Sequence, residues 1–186
     1  MTTATKKLNG VDVAALVATI GAIKNDPGLA RFQFRSKTTW VNGGHSQTSI
    51  QGFHGAGKED DSRNRPFLLE GDEPPVLLGA NQGPNAVEIV LHALASCMAV
   101  GYVYNAAAKG IAIKGLEFQI EGDLDLRGFL GMTDAARPGY NQIRVRYKVD
   151  ADAPRKALEE LCEYVQATSP VLDIIRNPVS VSVELV

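Results

Sequence analysis

The sequence predicts an α+β fold in which antiparallel strands wrap one long central helix. Three observations carry this. Residues 83–108 form an apolar run with helix signals at both ends. Residues 31–71 read as short strands separated by turns. Two further strand patterns, a second helix and an alternating C-terminal segment follow.

The central run is the best-defined element. Asn85 is a good N-cap, Glu88 three residues on completes a capping box, and Gly110 supplies the stop. Apolar residues lie on nearly every face, as expected of a helix in the middle of a fold. The run is about long enough to cross a bilayer. Glu88, His92 and Asn105 would then lie in hydrocarbon, where polar and ionisable groups are costly, so a core helix is the expectation and a membrane span is not.

In chain order, Val11, Ala14, Leu16, Val17, Ile20 and Ile23 predict an amphipathic helix over residues 11–24, ended by Asn25-Asp26-Pro27-Gly28. Residues 31–36 alternate as a half-buried strand, 38–41 are β-prone before the Asn42-Gly43-Gly44 turn, and 46–53 read as the next strand, together an antiparallel meander. Residues 58–65 are charged and read as a mobile loop, and 66–71 as a short strand. Beyond the central helix, 114–122 and 143–150 read as strands flanking a long irregular insertion at 123–141. Residues 153–168 form a second helix, with Leu158, Leu161, Cys162 and Val165 on one face, and Ser169-Pro170 stops it or starts another. Residues 179–186 alternate cleanly as a final strand.

With 186 residues, 45% hydrophobic content and a net charge of -2, the chain fits one soluble globular domain, with residues 1–28 as a helical extension. Scattered basic residues and a pI near 5.9 argue against a nucleic-acid partner. No secretory h-region follows the N-terminal lysines, and two distant cysteines do not make a disulfide scaffold, so a reducing cytoplasm is expected. His45, His54 and His92 lack paired metal-ligand spacing, so no metal is expected, nor any cofactor. No Gly-x-Ser-x-Gly elbow frames Ser96 or Ser169, which disfavours a serine hydrolase.

Asp72-Glu73-Pro74, Leu78-Gly79, Gly83-Pro84-Asn85-Ala86-Val87-Glu88 and Leu91-x-Ala93-Leu94-Ala95-Ser96-Cys97 together resemble the signature of OsmC/Ohr proteins, nearest the OsmC-like subgroup. Residues 107–111, Ser169-Pro170-Val171 and the terminal strand pattern fit as well. The resemblance covers roughly residues 30–186 and implies an OsmC-like fold in an intertwined homodimer, with reactive-cysteine sites at the subunit interface. It also implies an oxidative-stress redox role: reduction of small organic hydroperoxides by a peroxidatic thiol, with a second cysteine, an arginine and a glutamate assisting.

Carried over by residue, the peroxidatic position is Cys97. The second-cysteine position is Ser169, which cannot form a disulfide, so resolution by an external thiol reductant is expected, with Cys162 the weaker resolving candidate. Arg35 and Arg31 are candidates for stabilising the thiolate, and Arg63 and Arg65 are loop alternatives. Glu88 lies nine residues before Cys97, about 180° around a continuous helix, which favours a capping role over thiolate partnership. Gly101 and Tyr104, one and two turns after Cys97, are candidates for lining a substrate pocket with Ser169. The competing expectation is a non-catalytic protein holding a small hydrophobic ligand on the same scaffold.

Overall fold

The structure is a computed structural model and describes residues 7–186. Of the N-terminal residues 1–7, all but Lys7 lie outside the described residues. The fold is mixed α+β, with antiparallel sheets and a long helix. The described residues form two compact units, residues 14–90 and residues 7–13 with 91–186.

At its described start, β1 (Lys7–Leu8) and β2 (Val11–Asp12) pair antiparallel across Asn9-Gly10, both at positive φ. Asn-Gly is the strongest short hairpin signal because its backbone twist matches that of the strands. The helix expected from residue 11 therefore begins two residues later, as α1 (Val13–Asn25).

Residues 14–90 hold two three-stranded sheets. One orders β3 (Gln33–Phe34), β6 (Phe53–Gly55) and β7 (Lys58–Asp60); the other orders β4 (Lys37–Asn42), β5 (His45–Ile50) and β8 (Phe67–Gly71). This corrects three expectations. Residues 31–36 contribute only a two-residue strand, because Phe32 lies outside the ladder with its ring over Gly55, where an added Cβ would fall 2.2 Å from it. The strand expected over 46–53 splits into β5 and β6, which join different sheets. The first part of the charged stretch 58–65 is not a loop: β7 pairs with β6, and the Asp60 carboxylate accepts from the Ser62 N–H and hydroxyl. The two strands join across Ala56-Gly57, both at positive φ, and the charge of β7 masks this local hairpin in the sequence.

The central helix is α2 (Ala86–Ala108). Its capping box is present in both directions: Glu88 N–H donates to Asn85 Oδ1 and Asn85 N–H donates to a Glu88 carboxylate oxygen, each 2.9 Å. Gly110, at φ 73°, ends it. By length and composition α2 could cross a membrane. Four of its buried side chains form one stripe, Leu94, Met98, Tyr102 and Ala106, four residues apart, and Ala107 is buried beside its end.

That stripe is the core of the second unit. It packs with Leu161, Cys162 and Val165 of the amphipathic helix α4 (Arg155–Thr168) and with Leu172 of α5 (Pro170–Arg176). The long hairpin of β9 (Ile113–Asp123) and β10 (Gln142–Ala151) lays alternate residues on it: Leu116, Phe118 and Ile120 from one strand, Val145, Tyr147 and Val149 from the other. The 123–141 insertion joins them, with one short helix, α3 (Leu126–Phe129), whose N-cap is Asp125. The Asp125 carboxyl is held at about 2 by hydrogen bonds from Arg127.

The final strand does not form. Residues 179–186 carry no strand pairing, and Val181, Val183 and Leu185 are exposed. A period-2 pattern makes a strand only when a sheet edge accepts its hydrogen bonds. Among the described residues no edge takes this segment.

Candidate functional site

Cys97 lies on α2 one residue from Met98 of the buried stripe, so the core fixes its azimuth. It is half-buried and free. Its Sγ sits 3.2 Å from Ser169 Oγ. Ser169 is 5% exposed and forms the N-cap of α5, where its Oγ accepts the Leu172 N–H at 3.3 Å. Pro170 at the first position of α5 has no N–H to satisfy, which suits a helix start. The Ser-Pro pair thus starts α5 and holds a hydroxyl against the sulfur of α2.

Cys162 is also free and is buried among core side chains. Gln166 Nε2 lies 3.4 Å from its sulfur, and Tyr147 packs against the same cluster. Burial first, and then this sulfur, push the Tyr147 hydroxyl above its ordinary titration range. The Tyr102 hydroxyl is raised by the same two causes and donates to Leu158 O at 3.2 Å. Cys162 therefore belongs to an aromatic core cluster, with Tyr102 and Phe118 each 5.9 Å from Tyr147 between ring centroids.

Of the pocket candidates, Gly101 marks a close helix approach: a Cβ there would lie 3.3 Å from a Val165 methyl. Tyr104 is 44% exposed. Ser96, the residue before Cys97, has its Oγ 3.4 Å from Nε2 of His92 one turn earlier, a pairing that no motif in the sequence signals.

Arg31 and Arg35 lie in the 14–90 unit. The Arg31 N–H closes the turn at Gly28 O, and the Arg35 guanidinium pairs with Glu59 on an exposed surface. Arg63 lies over the Phe53 and Phe67 rings at 5.2 and 5.3 Å and donates to Gln51 O, so stacking occupies it. Glu88 is engaged in the α2 cap.

The remaining motif residues of this unit shape the approach to α2. The buried Asp72 carboxylate accepts N–H groups from Glu73 at 2.8 Å and from Ala80 and Gln82 at 3.1 Å. These bonds, with Gln82 and Glu73 foremost, hold its carboxyl below the usual carboxylate range. A Cβ on Gly79 would fall 1.9 Å from Glu73 O, and one on Gly83 2.3 Å from Glu70 O, so both positions require glycine. The backbone takes positive φ at Leu78, just before Gly79, and at Asn81, between the two glycines. An open depression of about 300 Å³ here is lined by His45, Asp72, Leu78 and Gln82 among others. Among the described residues no group of three or more His, Cys, Asp or Glu side chains is placed to hold a metal ion.

A core helix carrying a half-buried thiol, an engaged hydroxyl beside it and a motif-built loop leading into that helix define a family-level class. The family model for OsmC-like protein matches residues 79–184, more than half of the chain, and the chain belongs to that family. Its fold is similar to the OsmC-like protein of Mycoplasma pneumoniae, with TM-score 0.61 at 14% identity over 78% of this chain and 89% of that one. It is also similar to an osmotic stress induced and detoxification response protein of Psychrobacter arcticus, at 0.58 and 16% over 78% and 90%. The third is an organic hydroperoxide resistance protein OsmC, a predicted redox protein, of Legionella pneumophila, at 0.54 and 15% over 77% and 89%. Sequence comparison with curated proteins found no match.

Proposed function

We propose that the protein is a thiol-dependent peroxidase of the organic hydroperoxide reductase type, with Cys97 as the reacting group and an external thiol as reductant. The observation that carries this is the contact between Cys97 Sγ and Ser169 Oγ within the family motif. A hydroxyl stands against the reacting sulfur where a second thiol would be needed for internal resolution. Family membership, and the naming of the Legionella neighbour as an organic hydroperoxide resistance protein, support the substrate class.

The chemistry balances in two stages. The Cys97 thiolate attacks one oxygen of a hydroperoxide; the S–O bond forms as the O–O bond breaks, sulfur gives up two electrons, and the alkoxide leaves and takes a proton. An external thiol then attacks the sulfenic acid, forming a mixed disulfide and water, and a second external thiol releases Cys97 as a thiol. Arg35 and Arg31 are the proposed cations for the attacking thiolate. The Arg35–Glu59 pair is exposed, and such pairs are worth about 1 kcal/mol or less, so Arg35 is free to exchange partners.

The reading includes a cytoplasmic homodimer. None of the hydrophobic side chains of residues 14–90 is buried in one copy, and Phe34, Trp40, Phe67 and Leu78 are each at least 61% exposed. Apolar area of this extent marks an interaction surface. The unpaired 179–186 segment adds a strand in need of an edge.

The test is oxidation of purified protein by excess cumene hydroperoxide, followed at Cys97 by mass spectrometry, with Cys97→Ser as control. One added oxygen at Cys97, reversed by an external thiol, is expected. A thiol that stays reduced overturns the enzyme reading and leaves the non-catalytic hydrophobic-ligand protein.

A further inference from the structure

We infer that the Ser169 hydroxyl is a built hydrogen-bond donor to the Cys97 sulfur that tunes its reactivity, so that this site works as a one-cysteine centre by construction. The inference rests on the reading of Cys97 as the reacting thiol. Ser169 Oγ already accepts the Leu172 N–H at 3.3 Å. A hydroxyl has one proton to donate, and Cys97 Sγ stands within hydrogen-bond reach of it at 3.2 Å. A thiolate can only accept, so the direction is fixed once Cys97 ionises. The serine is 5% exposed and anchored by its own helix cap, and Pro170 restricts the backbone beside it. It is thus held toward the sulfur before ionisation, with little competition from water.

The magnitude follows from two opposed effects. A hydrogen bond donated to a charged acceptor is about twice as strong as one between neutral groups, which favours the reacting form of the sulfur. A better-stabilised thiolate is a weaker nucleophile, which returns about half of that gain on a logarithmic scale. The net effect is a rate about threefold to tenfold higher.

The experiment uses the full chain as wild type, Ser169→Ala, Ser169→Thr and Ser169→Cys, with folding of each checked by thermal melt. Cys97 is followed by mass spectrometry under two probes, iodoacetamide and cumene hydroperoxide. Ser169→Ala is expected to slow alkylation of Cys97 about threefold to tenfold, and Ser169→Thr, which keeps the hydroxyl, to restore it. Loss of the cap alone would lower the melting temperature without setting the Cys97 rate by the presence of a hydroxyl. Ser169→Cys is expected to give an intrachain disulfide between Cys97 and the introduced thiol on treatment with diamide, a thiol oxidant that needs no peroxidase activity. Equal alkylation rates in wild type and a folded Ser169→Ala, or a Ser169→Cys protein that forms no such disulfide with oxidant present, overturn the inference. If hydroperoxide leaves wild-type Cys97 untouched while alkylation still separates the variants, the peroxidase reading fails and the donor role stands.

Discussion

Three backbone N–H groups converge on the Asp72 carboxylate and hold it ionised where a neutral acid would lose acceptor strength. The sign of the pH effect follows. The folded carboxyl titrates below its unfolded value, so its contribution is complete above the ordinary carboxylate range, about pH 4, and is lost as pH falls through the folded value. Thermal melts should therefore show a loss of stability on acidification that is smaller in Asp72→Asn, whose melting temperature is lower at pH 7. An unchanged pH profile would remove Asp72 from this role. The motif residues that make the family legible, Asp72, Gly79, Gly83, Asn85 and Glu88, are explained here by folding. Of the motif, Cys97 alone is left for chemistry. The sequence could identify Ser169 as a missing second thiol, but not as a hydroxyl in contact with Cys97, because that contact spans 72 residues of sequence.

Elements whose determinants are local were legible from sequence, and those whose partners are distant were not. The central helix carries its own caps, and its expected start and stop hold. Replacing Asn85 with Ala removes one half of the box and should cost about 1 kcal/mol, read by chemical denaturation. Leu94→Ala opens the packed stripe against α4 and should cost about 2 to 5 kcal/mol in the same measurement, well beyond the cap effect. The β1–β2 hairpin was also locally signalled, by Asn9-Gly10, but the apolar period starting at Val11 obscured it. Asn9 ties that hairpin to the end of α2: its side chain donates to Ile111 O and accepts from Ile113 N–H, both at 2.9 Å. The β6–β7 hairpin across Ala56-Gly57 was likewise local, and the charge of residues 58–65 obscured it. The unformed strand at 179–186 illustrates the other case, since strand formation depends on an edge that composition does not encode.

For the whole molecule, the exposed apolar surface is the main consequence. The 91–186 region has a core of its own, whereas residues 14–90 bury only Gly55 and Asp72. Sedimentation equilibrium should give a homodimer, and deleting residues 179–186 should shift the population toward monomer or aggregate. A well-behaved monomer of the full chain would contradict the dimer reading. The central claim is that Cys97 reacts with hydroperoxide and is resolved from outside the chain. Its most direct test is intact and peptide mass spectrometry of the protein under excess cumene hydroperoxide without added thiol. One oxygen on Cys97, trapped by a sulfenic-acid reagent, with Cys162 still a free thiol, is the expected result. A Cys97 that remains unmodified, or a disulfide between Cys97 and Cys162, would contradict it.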